Sequence, residues 1–128
     1  MNNSQSEKKD VLVDIQNLNV ALEKFATDRN WEQFHSPKNL LLALTGEIGE
    51  LAEIFQWMGD VEARSAGETA ATAQAVKDEL ADVLFYLVRL ASVLKVDLNA
   101  AAVQKLRSNA IKYPVETSHG ISTKYNKK

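Results

Sequence analysis

No cysteine occurs among the 128 residues, which excludes disulfides, thiolate metal sites and thiol nucleophiles. Proline and glycine are nearly as scarce, at two and five. Apart from Gly46 and Gly49 none of them interrupts the long periodic stretches. Those stretches are rich in alanine and unbranched aliphatic residues, which predicts an all-α fold. Charge of one sign is lacking too. A net charge of −2 announces no strongly basic face for phosphate neutralisation, though a total does not exclude local clusters, so nucleic acid is not an expected partner. No apolar run reaches membrane-spanning length, and the polar N-terminus has no apolar signal core. No membrane association is expected, and a cytoplasmic location is. What is present, 45% hydrophobic and 25% charged residues, suits one globular domain with a single core.

Residues 1–9 read as a disordered polar tail, 10–114 as one helical domain and 115–128 as a flexible, Ser/Thr/Lys-rich tail. Val11, Ile15, Leu18, Leu22 and Phe25 recur at helical spacing and predict a first helix over about 10–29. The next six residues, Asn30 to His35, lose the period and carry several rings. Ser36-Pro37 then supplies a capping side chain and a proline for the first helical position. A second helix is expected over about 37–58, ended by Gly59-Asp60, and a third over about 68–95. Asp97 caps a fourth, over about 97–111, which Tyr113-Pro114 stops. The expected architecture is a four-helix bundle that self-associates, because the second helix is apolar over more than half its circumference.

Two acidic pairs break this apolar pattern. At about 100° per residue, Glu47 falls inside the apolar arc of the second helix, Glu50 at its edge and Glu53 further round. On the third helix Glu79 falls inside the arc and Asp82 at its edge. Glu47 and Glu50 lie roughly 12–16 Å before the end of the second helix, and Glu79 and Asp82 roughly 16–20 Å after the start of the third. In an antiparallel hairpin the pairs meet. Buried, unpaired carboxylates are costly or neutralise themselves, so a cation is expected between them. Four oxygen donors without histidine or cysteine suit Mg²⁺ or Mn²⁺. Magnesium shares its shell with phosphates, which points to a nucleotide. The competing reading makes these acids solvated helix-surface groups paired with Lys77, Arg89 or a second chain. A di-iron bundle fits poorly, since it needs Glu-x-x-His and neither His35 nor His119 has that spacing.

Glu47-x-x-Glu50 followed by Glu79-x-x-Asp82, with Trp31 to Asn39, Phe55-Gln56-Trp57, Tyr86-Leu87, Val96-Asp97-Leu98 and Lys105 through Asn109 to Tyr113-Pro114, resembles the MazG-like all-α nucleoside triphosphate pyrophosphohydrolases, and within them the dCTP pyrophosphatase subgroup. The resemblance spans roughly residues 11–114. It implies Mg²⁺-dependent hydrolysis of a deoxynucleoside triphosphate, dCTP or a modified dCTP, to the monophosphate and pyrophosphate. It implies Glu47, Glu50, Glu79 and Asp82 as metal ligands and Trp31 to His35, Phe34 included, with Trp57 and Tyr86, as pocket residues. Lys105 and Asn109 match the family's motif on the fourth helix. It also implies a homo-oligomer, a tetramer built as a dimer of dimers or a dimer. The sequence departs from the pattern at Leu22, where close relatives can carry a histidine that helps hold the base.

Within that chemistry a carboxylate beside the metal orients or deprotonates the attacking water. Glu50 and Glu53 are the two candidates, with Glu50 favoured because Glu53 points away from the arc. Trp57 shares a face with Glu50, and Tyr86 with Asp82. These rings read either as core or as a sandwich for a base. Lys38, at the start of the second helix, reads either as a phosphate contact beside a helix N-terminus or as a solvated lysine.

Overall fold

The computed structural model describes residues 11–122. All their regular elements are helical: α1 (Gln16–Asp28), a 3₁₀ turn (Glu32–Phe34), α2 (Pro37–Phe55), α3 (Asp60–Arg64), α4 (Ala73–Val93), α5 (Leu98–Lys112) and α6 (Val115–Ser118). The all-α expectation is borne out. None of the helices is long and apolar enough to cross a membrane. The expected tail over residues 1–9 lies outside the described residues. The chain divides into two units, Ile15–Val96 and, of the described residues, 11–14 with 97–122.

The first unit is built on the α2–α4 pair, with α1 against α4. Glu47 on α2 meets Glu79 on α4. Seven residues earlier on α2, Leu40 shares a cavity wall with Tyr86, seven residues later on α4. The two helices therefore run antiparallel. Leu40 and Val88, each 1% exposed, are the largest fully buried side chains. Ala26, Ala66, Val76 and Ala91 complete the buried apolar set. A fully buried leucine or valine contributes roughly 1.5–3 kcal/mol, so a core this small leaves much apolar surface unused. Leu42, Leu80 and Leu84 stay exposed on α2 and α4. On the α1 side, the Ser92 hydroxyl donates to Glu23 Oε1 at 3.1 Å.

Helix boundaries differ from expectation where side chains compete for the backbone. Before α4, Thr72 Oγ1 donates to the Ala66 carbonyl at 2.6 Å and Thr69 Oγ1 to the Ser65 carbonyl at 2.9 Å. These bonds hold turns where a continuous helix from 68 was expected. α2 ends at Phe55 rather than Met58 because the Met58 amide bonds the Phe55 carbonyl, three residues back, at 2.9 Å, and Gly59 then turns extended (φ −79°, ψ 168°) to start α3. Asp60 and Glu62 in the first turn of α3 and Arg64 in its last suit the helix dipole.

In the second unit the amides of Leu12 and Val13 both donate to Asn99 Oδ1, at 2.7 and 2.9 Å. Those donors are spent outside a helix, so the expected start of α1 at residue 10 moves to Gln16. The Asp97 carboxylate accepts from the Ala100 amide at 3.0 Å and caps α5 as expected. α6 adds a short turn after Pro114, within the segment read as a tail.

α1 and α4 end in the same way. After α1, the Asn30 amide bonds the Thr27 carbonyl at 3.0 Å and the Trp31 amide the Ala26 carbonyl at 2.9 Å, with Asn30 at φ 54°. After α4, Lys95 bonds Ser92 at 3.1 Å and Val96 bonds Ala91 at 2.8 Å, with Lys95 at φ 59°. These paired bonds satisfy the last carbonyls, and the left-handed residue is ordinarily glycine and sometimes asparagine. Lysine has neither advantage. Lys95→Gly is expected to raise unfolding stability by about 1 kcal/mol, measurable by urea denaturation, whereas Asn30→Gly should change it by much less.

Candidate active site

The site begins where α1 stops. The left-handed turn at Asn30 throws Trp31 back beside the buried Ala26. There Trp31 meets Phe25 edge to face, with ring centres 5.6 Å apart and planes at 70°. The Arg29 guanidinium lies 3.6 Å over the Phe25 ring. Such contacts hold an aromatic wall in one orientation. Ser36 Oγ caps α2 by accepting from the Asn39 amide at 3.2 Å, with Pro37 in the first position. The Asn39 side chain then donates to the Phe34 carbonyl at 3.0 Å. Phe34 and His35 are thereby fixed at the mouth of the α2–α4 pair.

At the middle of that pair, Glu47, Glu50 and Glu79 bring one carboxylate oxygen each within 4.8 Å of one another. Glu47 and Glu79 are half-buried and Glu50 is exposed, the inward and rim positions expected from the helix wheel. Glu47 Oε2 and Glu79 Oε2 are buried with no hydrogen-bond partner. Glu47 is pushed up to about 7, first by the facing Glu79 carboxyl, then by burial, and then by Glu50 and Asp82. Glu47 in turn pulls Glu79 down, but burial and the charges of Glu50 and Asp82 outweigh it and leave Glu79 raised. Asp82 is half-buried and outside the three-carboxylate cluster, near enough for its charge to raise both glutamates. Glu53 is exposed and also outside it. Buried oxygens without donors and an all-oxygen set fit a hard divalent cation.

Two cavities lie along the same helix pair. One, of about 350 Å³, is lined by Trp31, Phe34, His35, Asn39, Leu40, Ala43 and Tyr86. The other, of about 280 Å³, shares Trp31, His35 and Tyr86 and adds residues of α1 and α4, among them Phe25, Asp82 and Arg89. Four residues expected to bind substrate, Trp31, Phe34, His35 and Tyr86, line these cavities; of the acids only Asp82 does, and Glu47, Glu50 and Glu79 line neither. Trp57, 89% exposed beyond the end of α2, lines neither. Lys38 is exposed in the first turn of α2 and lines neither. Lys105 and Asn109 lie on α5, in the other unit, exposed and half-buried respectively.

The residue that sequence reasoning passed over is Arg89. It is only 8% exposed, yet the sequence offered it merely as an ion-pair partner for surface acids. Its spacing was the available signal: Arg89 follows Tyr86 by three residues and Asp82 by seven, on one face of α4. Burial holds the neighbouring His35 below the ordinary histidine range, Arg89 lowers it further, and Glu32 opposes them.

Fold and site together define an all-α protein whose central helix pair carries a cation-ready carboxylate cluster beside an aromatic cavity. The chain belongs to the MazG-like family, whose model matches residues 43–127. It is 48% identical over 114 residues to dCTP pyrophosphatase 1 of Rattus norvegicus and 47% identical over the same length to that of Homo sapiens. Each match covers 89% of this chain and 65% of the relative, so the chain spans about two thirds of the relatives' length. A solved pyrophosphatase from Archaeoglobus fulgidus superposes with a TM-score of 0.73 at 36% identity, covering 78% of this chain and 92% of that one.

The raised glutamate has a consequence for stability. Folded and metal-free, Glu47 keeps its proton to about pH 7, whereas its ordinary value is 4.5. The folded state binds more protons between these values, so stability falls as pH rises through that window. Metal-stripped protein should therefore lose thermal stability from about pH 5 to about pH 8. Glu47→Gln should flatten the profile; an unchanged slope in the variant would dismiss the assignment.

Proposed function

We propose that the protein hydrolyses a deoxynucleoside triphosphate to the monophosphate and pyrophosphate, with dCTP or a ring-modified dCTP as the favoured substrate. The observation that carries this reading is the convergence of Glu47, Glu50 and Glu79 around buried oxygens that lack donors. The names of the mammalian relatives support the substrate. Glu47 and Glu79 hold the ion, Mg²⁺ with Mn²⁺ as a substitute, and Glu50 and Asp82 complete the set. When bound, that ion offsets charge on the phosphate oxygens and acidifies water. Glu50, at the exposed rim of the cluster, orients the attacking water and takes its proton. Glu53, one turn further along α2, supports Glu50 from outside the cluster. Trp31, Phe34, His35 and Tyr86 receive the nucleoside, and Lys38 meets phosphate.

The apolar faces left exposed on α2 and α4 favour self-association. In the assembled homo-oligomer, a dimer or a tetramer, Trp57 covers a neighbouring chain's pocket. Sedimentation should accordingly give a mass two or four times that of one chain; a monomer at micromolar concentration would refute this.

Purified protein should release pyrophosphate from dCTP only with Mg²⁺ or Mn²⁺. Glu47→Ala and Asp82→Ala should abolish turnover, and Glu50→Gln should lower kcat by about 10²–10⁴-fold. Nucleotide binding without pyrophosphate release from any member of a dNTP panel would sink the proposal and leave a non-hydrolytic binder.

A further inference from the structure

Arg89 is a buried guanidinium without a visible reason to be there. It is 8% exposed, and its Nε has no hydrogen-bond partner. No ion pair to it occurs among the described residues. Guanidinium groups in proteins stay charged, and a buried charge left unpaired is strongly unfavourable. Arg89 also lines the cavity of about 280 Å³ that His35, Tyr86 and Trp31 line. His35 Nδ1 is likewise buried without a partner. Two unpartnered polar groups on one aromatic-walled cavity call for a ligand with a polar edge and a flat face.

The helix itself indicates which part of a nucleotide that is. Arg89 stands about 10 Å along α4 from Asp82 and about 15 Å from Glu79, at 1.5 Å per residue. Asp82 and Arg89 line the same cavity from its two ends, so a nucleotide with its phosphates at the acids presents its ring, rather than its phosphates, at the Arg89 end. Tyr86 occupies the turn between, on the same face. The cavity falls just under the roughly 300–1,000 Å³ of clefts that take whole ligands, which suits a single ring. Resting on the nucleotide reading above, we propose that Arg89 reads the base, its forked donors engaging the adjacent O2 and N3 acceptors of a cytosine ring. His35 accepts from the 4-amino group at Nδ1, which no protein group serves. Uracil and thymine turn an N3–H donor toward the guanidinium and a carbonyl toward His35, so only the O2 contact survives and those at N3 and the 4-position fail. A site built around such bonds discriminates strongly against rings that lack them.

The test compares kcat/KM for dCTP, dUTP and 3-deaza-dCTP, which replaces N3 by C–H, in wild type, Arg89→Met and Arg89→Lys. Wild type should favour dCTP over each of the others by at least about tenfold. Arg89→Met should nearly erase both preferences, through KM rather than kcat, and Arg89→Lys should restore part of them. Melting of Arg89→Met should be unchanged or higher, because an apolar side chain replaces an unpaired buried charge. Wild type indifferent to the loss of N3 overturns the proposal, even if Arg89→Met does not fold, and so does an Arg89→Met enzyme that keeps the wild-type preferences. Turnover of no dNTP by wild type would overturn the nucleotide reading and this assignment with it.

Discussion

The molecule's design rests on carboxylates held against their own repulsion. Glu47 and Glu79 face each other across the seam of α2 and α4, with oxygens that water does not reach and no protein donor serves. Hydrophobic packing has to keep the seam closed around them. Leu40 and Val88 are the largest side chains buried completely, which leaves little packing energy to spare. Glu47 is therefore raised to about 7 when the pair is alone, a state that a bound cation would replace.

Everything beside the seam follows from how neighbouring elements end. The left-handed turn at Asn30 sends Trp31 back onto Phe25 and Ala26, where it stays partly exposed. The Ser36 cap and the Asn39-to-Phe34 bond bring Phe34 and His35 to the same opening. Two helix termini thus supply the aromatic wall of a recess that α2 and α4 close on the other side and that Asp82 reaches.

Much of this was legible beforehand. A helix wheel places Glu47 and Glu79 inward and Glu50 at the rim, and their burial agrees. That works because α2 and α4 are long and strongly periodic. The start of α4 was not legible, because Thr69 and Thr72 hydroxyls take backbone carbonyls there. Nor was the start of α1, where Asn99 claims the Leu12 and Val13 amides from 86 or more positions away. Arg89 escaped because a lone arginine in a helix is solvated far more often than buried. The exposure of Trp57 escaped because α2 stops before reaching it.

α4 carries Glu79, Asp82, Tyr86 and Arg89 along one rigid rod. Asp82 and Arg89 lie about 10 Å apart along it, yet they line one cavity. Substitutions that share a partner in this way couple rather than add. A change in the wall two turns beyond Asp82 is therefore felt at the acids. On such a helix the two ends evolve together.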